Sequence, residues 1–329
     1  MKDLFKYSPS FALLFAPFAV VPYAAGLLAW NALNAGLLYV ALGRLLGPRD
    51  APAARAFVFL DTFGSMQNAQ SNALVAALII LGFTEMARDR QLGAALAVAS
   101  GTVIKIFPVA AGVIFVFHPR KLRFVALAAG CGAALLLAPL LVTSPSGLVA
   151  QYQSWRAVES GDALSRMHSI MQHVHKMFGV DWPNWPQQLA GLCILLLPLA
   201  MRRERFPERR FQQLFLASLL LFCVIFNHQA ESPSFVIATS GVAIWFLAVD
   251  RTPLSWSLLV LVFVGTTLAK SELIPGVVRH DIVDRYYIKT VPCFVVWVVL
   301  QAQLWRRGSE RAEAHQLDVS LSQPRPQLG

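Results

Sequence analysis

The stretch LGAALAVASGTVIKIFPVAAGVIFVFH, residues 92–118, contains a single charged residue, Lys105, in an otherwise largely apolar run. Two foldings fit it: one long tilted helix, or two short helices that meet near Lys105 and Pro108. The choice determines on which side of the molecule every later segment lies. This stretch therefore decides the fold.

The composition of the chain is that of an integral membrane protein. Of its 329 residues, 56% are hydrophobic and 14% are charged, whereas soluble domains have about half apolar and a quarter charged residues. The net charge of +10 does not indicate nucleic-acid binding, because the basic residues form short clusters between apolar runs, as in cytoplasmic loops. The four cysteines lie far apart within apolar segments, so we expect neither a disulfide framework nor a metal site from them.

Apolar segments recur along the chain and predict helices that span or partly span a bilayer. The start of the chain is not a signal peptide or a full span, because its apolar stretch is short and broken by prolines. We expect an all-α polytopic membrane protein, a bundle of about 10–11 spanning or half-spanning helices with short outer loops. The predicted helices cover residues 24–43, 54–67, 71–87, 92–105, 106–118, 124–142, 187–201, 211–227, 233–249, 254–269 and 289–305.

Positive charge distinguishes the two foldings of residues 92–118, because Lys and Arg concentrate in short cytoplasmic loops. If the segment is a hairpin, 18 of the 28 Lys and Arg residues share one side and 9 the other, with Lys105 in the membrane. If it is one helix, the split becomes 12 against 15, and the basic run MRRERFPERR at 201–210 lies outside. The charge distribution therefore favours the hairpin.

The hairpin gathers polar chemistry on the extracytoplasmic side and places the C-terminus in the cytoplasm. An N-terminus on the outer side is either carried there by an upstream segment or translocated unaided, and of the two we expect an upstream helix and loop before Met1. We also expect a membrane-embedded domain over residues 1–306 and a disordered cytoplasmic tail over 307–329. The outer side receives the N-terminus, GSMQNAQSN at 64–72, Lys105 at the hairpin tip, residues 143–186, NHQAES at 227–232 and residues 270–288.

Asp61 and Lys105 are ionisable residues within apolar runs. A charge at membrane depth is costly unless it is paired or hydrated, so each is a candidate functional residue. Asp61 could be catalytic, or it could be a buried cap that bonds to Thr62 or to a neighbouring helix. Lys105 could bind a lipid phosphate as a point charge, or it could be an interfacial lysine that extends its amine towards water.

Four amide side chains, those of Gln67, Asn68, Gln70 and Asn72, lie together before an apolar helix. Each has several donors and acceptors, which suits them to bind the hydroxyls of a sugar or the oxygens of a phosphate. The alternative is a helix cap, in which Ser71 or Asn72 begins the next helix. A cap accounts for one of these residues but not for all four.

Two further groups of candidates lie in later polar segments. Glu231 could simply precede a helix N-terminus, or together with His228 it could form a polar relay or bind an acceptor hydroxyl. Arg166 and His168 lie in a region whose residues 166–178 have the amphipathic pattern of an interfacial helix. They could anchor that helix at the membrane or bind an anionic head group. The histidine spacing there does not indicate a metal site.

Several stretches resemble glycosyltransferase family 87, membrane enzymes of the GT-C type. YSPSFALLFAPFAVVP at 7–22, followed by a helix containing WNALN at 30–34, resembles the family's Y-x-P segment. The family's pattern of a polar Q-x-N, an apolar helix, a basic turn and a small-residue helix ending in K-x-x-P is matched by Gln70, Asn72, Lys105 and Pro108. FNHQAESPSFVIATSGVAIWF at 226–246 resembles a later outer turn of one branch of the family.

The resemblance implies a GT-C-like fold with an outward-facing cleft. Such an enzyme moves a hexose, mannose-like, from a polyprenyl-phosphate donor to a lipid, glycan or protein acceptor, without a cofactor. The resemblance makes Lys105 the phosphate ligand, Gln70 and Asn72 groups that orient the substrate, and Tyr7 a substrate contact. The family's general base is usually an acid before the Y-x-P segment, and Asp3 is too close to that segment to match it. Asp61 and Glu231 are the catalytic candidates within the chain.

The expected partners are the polyprenyl-phosphate sugar, an acceptor lipid or glycan, and membrane lipids, with no metal and no nucleic acid. The expected location is the bacterial inner membrane. Two other functions stay open: a transporter or flippase of lipid-linked sugars, and an inactive member of the family. A transporter should have polar groups near mid-membrane and often two related halves, whereas the polar residues here cluster towards the outer face.

Overall fold

The computed structural model of the protein describes residues 6–162, 164–270 and 274–306. Within those ranges the chain forms helices and no strand, which confirms the all-α fold class. The predicted tail at 307–329 and Asp3 lie outside the described residues. The α-helices are α1 Pro9–Ala19, α2 Tyr23–Gln67, α3 Asn72–Ala87, α4 Gln91–Ile104, α5 Lys121–Leu137, α6 Pro145–Gly161, α7 Ile170–Phe178, α8 Asn184–Met201, α9 Arg209–Ile225, α10 Phe235–Ala248, α11 Pro253–Val262, the three-residue α12 Gly276–Val278 and α13 Thr290–Trp305.

Helix α2 is two antiparallel arms that reverse direction at Gly47. Gly47 has φ 78°, a conformation that only glycine adopts readily, and Pro48 starts the second arm. The guanidinium of Arg55 donates to the Tyr39 carbonyl at 2.9 Å and lies 3.5 Å from the centre of the Tyr39 ring, so the arms lie side by side. The two helices predicted at 24–43 and 54–67 are confirmed as these arms.

Residues 92–118 form the predicted hairpin. Helix α4 ends at Lys105, whose φ of −143° and ψ of 141° are extended, and a 3₁₀ helix, Phe107–Phe117, returns beside it. The Gln91 amide and the His118 ring, at the two open ends, lie 2.8 Å apart. The arms match in length because 14 residues of α-helix and 11 residues of 3₁₀ helix each rise about 21–22 Å. Lys105 therefore lies at a hairpin tip.

The centre of the bundle is α10, surrounded by α9, α2 and α3. Every residue of α10 from Phe235 to Phe246 is buried, as expected for a helix that is apolar on all sides. Gly241 permits the close approach of α9, because a Cβ built there would lie 2.8 Å from the Ala217 carbonyl oxygen. The core therefore consists of the short apolar helix α10 and the helices packed around it, α9, α2 and α3.

Some outer segments are apolar and nevertheless exposed. In α5 only Phe124 is buried, and Leu122 and Leu141 are 85% and 84% exposed. Among the described residues, α2 and the continuous segment Lys121–Leu141 have the length and apolar composition needed to cross a membrane. The polytopic arrangement as a whole stays a prediction.

The loops rich in arginine meet at one end of the bundle. Arg88 donates to the Arg44 carbonyl at 3.4 Å, and Arg209 donates to the Leu45 carbonyl at 3.1 Å. Glu85 lies 3.6 Å from the guanidinium of Arg44. The three loops that contain Arg44, Arg88 and Arg209 thus meet at one end of the bundle, as the charge distribution predicted. Lys105 lies at the other end of α4.

Residues 143–186 differ from the expected long polar loop, since they contain α6 and α7. The Ser144 hydroxyl accepts from the Gly147 amide at 3.2 Å and caps α6, with Pro145 at its first position. The amphipathic helix expected within 166–178 is confirmed as α7. Helix α6 brings acidic residues, absent from the sequence-based candidates, to the end of the bundle where Lys105 lies.

Candidate functional site

A continuous hydrogen-bonded relay joins a cation to a carboxylate at the end of the bundle opposite the arginine-rich loops. Lys105 Nζ donates to Asn72 Oδ1 at 2.7 Å, and Asn72 Nδ2 donates to Gln70 Oε1 at 2.5 Å. Gln70 Nε2 donates in turn to Glu231 Oε2. Asn72 is fully buried, while Lys105, Gln70 and Glu231 are half-buried. Four of the residues predicted from sequence are thus brought into one group.

The chemistry of the two terminal residues fixes the orientation of both amides. An ammonium group only donates, so Asn72 must present its oxygen to Lys105 and its nitrogen to Gln70. An ionised carboxylate only accepts, so Gln70 must present its nitrogen to Glu231 and its oxygen to Asn72. The two requirements agree, and every bond of the relay has one donor and one acceptor. Bonds aligned in this way polarise one another.

Local backbone geometry places the two amides. Between α2 and α3 the chain turns at Ala69, whose φ is 49°, and the Trp30 indole N–H donates to the Ala69 carbonyl at 2.9 Å. Ser71 occupies the cap position of α3, but its hydroxyl donates to the Tyr7 hydroxyl at 3.3 Å and not to a helix amide. The Leu74 amide of α3 is instead bonded by Asn34 Oδ1 at 3.2 Å. A cap from another helix thus leaves Asn72 available to the relay.

Glu231 has the position before a helix that the sequence offered for it, and it takes part in a relay whose partner is Gln70, whereas His228 contacts Gln188. The Glu231 side chain and that of Ser234 bond each other's backbone amides across a short 3₁₀ turn, Ser232–Ser234, as a capping box. Its carboxylate also accepts from Gln70. The position before a helix therefore fixes Glu231, and the relay uses its remaining hydrogen-bonding capacity.

A second acidic group reaches the same end of the bundle from α6. Glu159 Oε2 accepts from the Gln229 amide at 3.3 Å, and Asp162 lies 2.6 Å from the Lys6 amine. Glu159 and Glu231 are both close enough to attract the Lys105 ammonium. Burial raises the pKa of Glu159; the hydrogen bond from Gln229 opposes this effect, Asp162 reinforces it, and Lys6 and Lys105 oppose it. Asp162 raises the pKa of Lys6 through their ion pair.

Asp61 lies in a neighbouring buried group. Thr267 Oγ1 donates to Asp61 Oδ2 at 2.6 Å, and the amine of Lys289 lies 3.7 Å from Asp61 Oδ1. Thr62, the partner considered from the sequence, bonds its own helix through the Val58 carbonyl at 2.8 Å. Of the two alternatives for Asp61 other than catalysis, the contact with a neighbouring helix is the one present.

The other sequence-based candidates lie around the relay and not in it. Gln67 is exposed, and Asn68 donates to the Gly64 carbonyl at 2.8 Å at the end of α2. Arg166 lies 3.3 Å from Asp181. His168 is buried, and its backbone amide donates to the Ala230 carbonyl at 3.0 Å.

Tyr7 and His228 lie near the acidic groups, Tyr7 near Glu231 and His228 near Asp162. The Tyr7 hydroxyl accepts from Ser71, next to Asn72, and burial raises its pKa. His228 Nδ1 lies 3.1 Å from the Gln188 amide, and burial lowers its pKa while Asp162 opposes that effect. Neither side chain is a member of the relay.

Two residues of the site were missed by the sequence analysis. Glu159 lies in a polar segment with many charges, where nothing separates it from a solvated acid. Lys289 lies in IKTVPCF at 288–294, at the start of an apolar helix, and a lysine so close to an apolar run could have been noticed by the reasoning applied to Lys105. Both residues acquire their place through contacts distant in sequence, Glu159 with Gln229 and Lys289 with Asp61.

The chemistry that this end of the bundle can perform is binding of an anion and transfer of a proton. Lys105 has three N–H donors, one of which bonds Asn72, so an oxyanion can accept from the others. The carboxylates of Glu159 and Glu231 can accept protons or bond hydroxyl groups. Among the described residues, no group of three or more His, Cys, Asp or Glu is arranged to bind a metal ion.

Comparison with known proteins gives one match. A family model described as glycosyltransferase family 87 matches residues 5–269. A search of curated proteins returned no match, and a search of solved structures returned none. The matched range includes the relay residues, Glu159 and Asp61.

Proposed function

The chain belongs to glycosyltransferase family 87, and from this premise we propose that it transfers a hexose, mannose-like, from a polyprenyl-phosphate donor to a lipid, glycan or protein acceptor. The family itself establishes the coarser activity, a glycosyltransferase. The observation that supports the finer proposal is the relay, because it holds one ammonium group beside two amides, which are suited to bind sugar hydroxyls, at the bundle end away from the arginines.

We assign the donor phosphate to Lys105. As the acceptor hydroxyl oxygen bonds to the anomeric carbon, the bond from that carbon to the phosphate oxygen breaks, and the phosphate takes the electron pair. A cation positioned at the leaving oxygen stabilises this developing charge in a site of low polarity. Gln70 and Asn72 orient the sugar or the phosphate, which lowers the entropic part of the barrier.

We assign the proton of the acceptor hydroxyl to Glu159. Glu231 already accepts from Gln70 and from the Ser234 amide, whereas the amide of Gln229 lies at 3.3 Å from Glu159. The raised pKa of Glu159 makes its ionised form a stronger base, and proton transfer is most efficient when the pKa approaches the working pH. Glu231 then acts by fixing the amides.

We place the donor's lipid tail in an apolar cavity next to the relay. The cavity has a volume of about 420 Å³ and is lined by Phe15, Phe18, Leu27, Trp30 and Ala69, among others. Ala69 directly precedes Gln70 in the chain. An isoprenoid chain in this cavity would therefore bring its phosphate towards Gln70, Asn72 and Lys105.

We propose that the reaction takes place on the extracytoplasmic side of the bacterial inner membrane, in a multi-pass protein with a cytoplasmic C-terminus. The support is electrostatic: three of the arginine-rich loops meet at the opposite end of the bundle from Lys105, and loops rich in Lys and Arg face the cytoplasm.

A transfer assay in proteoliposomes tests the proposal. Purified protein receives a polyprenyl-phosphate hexose labelled in the sugar, with unlabelled acceptor lipids extracted from bacterial membranes, and the products are separated by chromatography. We expect the label to move to a new product, and an excess of nucleotide sugar to leave that transfer unchanged. A label that crosses the bilayer still attached to its donor would instead identify a flippase, and a donor that neither crosses nor reacts would identify an inactive member of the family.

A further inference from the structure

A buried ion pair lies next to the short turn Ser232–Ser234, which Glu231 precedes. Asp61 and Lys289 are 7% and 3% exposed, with Lys289 Nζ 3.7 Å from Asp61 Oδ1. The same amine donates to both oxygens of Ser232, at 3.3 Å to the carbonyl and 3.1 Å to the hydroxyl. It also lies 5.1 Å from the centre of the Phe235 ring. One ammonium group thus contacts both oxygens of Ser232 in the turn and the ring of Phe235 at the start of α10.

The contacts of Lys289 continue directly into the relay. Ser232 follows Glu231 in the chain, and the turn is closed by the capping box between Glu231 and Ser234. Glu231 accepts from Gln70, whose partner Asn72 bonds Lys105. An uninterrupted series of contacts therefore connects the buried Lys289 to Lys105.

We propose that Lys289 is a positioning residue that fixes the Glu231 turn through Ser232, and that Asp61 is its countercharge and not the proton acceptor of the reaction. This inference rests on the function proposed above. Both oxygens of Asp61 face a partner, Thr267 on one and Lys289 on the other. A carboxylate in that position neutralises a buried amine.

The chemistry of buried ion pairs explains why such a pair needs a role beyond stability. Removing two charges from water is costly, and apolar residues of similar size are often equally stabilising. Removal of one partner alone is strongly destabilising, because the other charge stays buried. If the pair serves to position Ser232 and not to stabilise the fold, removing both charges should restore the stability lost in the single variants but should not restore the activity.

The test uses Asp61→Asn, Lys289→Met and the double variant Asp61→Asn with Lys289→Met. The double variant removes both charges of the pair, and the new amide oxygen can still accept from Thr267. We expect both single variants to unfold at a lower temperature than the wild type, and the double variant to recover most of the loss. Activity is measured well below the lowest of these temperatures.

The expected activities follow a different order from the stabilities. Asp61→Asn keeps the Lys289 contacts with Ser232 and should retain transfer. Lys289→Met and the stable double variant should both lose about tenfold to 100-fold in kcat, the size of effect produced by small misplacements in an active site. Lys289→Arg, which keeps a donor at this position, should restore part of kcat.

Two results would overturn the inference. Loss of transfer in Asp61→Asn would mean that the carboxylate itself takes part in the reaction. Wild-type transfer in the double variant would mean that the pair only stabilises the fold.

Hydrogen exchange of a peptide covering residues 226–235 separates failure of this inference from failure of the proposed function. We expect faster exchange in Lys289→Met and in the double variant than in Asp61→Asn. If the wild type transfers no sugar, the proposed function fails, but this difference in exchange still decides whether Lys289 fixes the turn. Equal exchange in all variants would refute its positioning role.

Discussion

Asn72→Asp is the sharpest test of the relay, because it replaces one nitrogen by oxygen in a fully buried side chain and keeps its shape. The new carboxylate still accepts from Lys105 but cannot donate to Gln70 Oε1, which lies 2.5 Å from the present nitrogen. If the Gln70 amide turns over, its oxygen then faces the Glu231 carboxylate. In either orientation of the Gln70 amide, two acceptor oxygens therefore face each other without a hydrogen bond, either at position 72 or at Glu231.

The expected size of the effect follows from the cost of one buried polar group without a hydrogen bond, about 1–3 kcal/mol. For a chain of this length 1 kcal/mol changes the melting temperature by about 2 °C, so we expect a fall of about 2–6 °C. The measurement is thermal unfolding of the purified protein in detergent, followed by circular dichroism at mildly alkaline pH. Asn68→Asp is the matched control, since the same exchange at this exposed residue should change the melting temperature far less.

Addition of Glu231→Gln to Asn72→Asp should restore the stability. In this double variant Lys105 donates to the new carboxylate at position 72, and the Gln70 amide turns over so that its nitrogen donates to the same carboxylate. The new amide at position 231 then donates to the Gln70 oxygen, so every bond again has a donor and an acceptor. Transfer should stay low, because the negative charge has moved next to Lys105. A wild-type melting temperature for Asn72→Asp, or a double variant no more stable than the single one, would refute the assigned orientation of the amides.

The other predictions concern the base, the lipid cavity and the topology. Because the raised pKa of Glu159 requires a higher pH for ionisation, kcat/KM should fall as the pH decreases through a pKa above the usual range of glutamate. Glu159→Gln should remove both this pH dependence and most of the activity, whereas the control Glu204→Gln, at an exposed residue in the arginine-rich region, should change neither. An unchanged pH profile in Glu159→Gln would exclude Glu159 as the base. Leu27→Trp should fill part of the cavity and raise KM for long polyprenyl donors more than for short ones, whereas an equal rise for both would place the tail elsewhere. A reporter fused after Arg311 should be cytoplasmic and one inserted at Gly179, in an exposed turn with φ 64°, extracytoplasmic; the reverse orientation would contradict the proposed side of reaction.

The helices of the bundle were largely predictable because apolar length and charge distribution are local properties of the sequence. Charge clusters were enough to choose the hairpin at Lys105, and the contact between Gln91 and His118 confirms that choice. The reversal of α2 at Gly47 lies in the gap between the predicted helices at 24–43 and 54–67. Helix α6 was not, because its residues are polar and its first-turn cap and proline were read as part of a loop.

The relay was only partly predictable. Gln70, Asn72, Lys105 and Glu231 were chosen singly, by residue type and by resemblance, but their joining depends on a contact between residues 70 and 231 that no local pattern contains. The same holds for Asp61, whose partner Lys289 lies more than 200 residues later. Side chains that acquire their role through distant contacts cannot be separated by sequence from those that are merely polar.

The central claim, that Lys105 binds the donor phosphate, is tested most directly by the binding of a polyprenyl phosphate to purified protein. Native mass spectrometry in detergent compares the wild type, Lys105→Met and, as a control, Lys121→Met at the exposed start of α5. One charge-assisted hydrogen bond is worth about 1.5–3 kcal/mol, so Lys105→Met should bind the lipid about 10- to 150-fold more weakly. The corresponding polyprenol, which has no phosphate, should bind all three proteins alike. Equal affinity of the wild type and Lys105→Met for the polyprenyl phosphate would contradict the account.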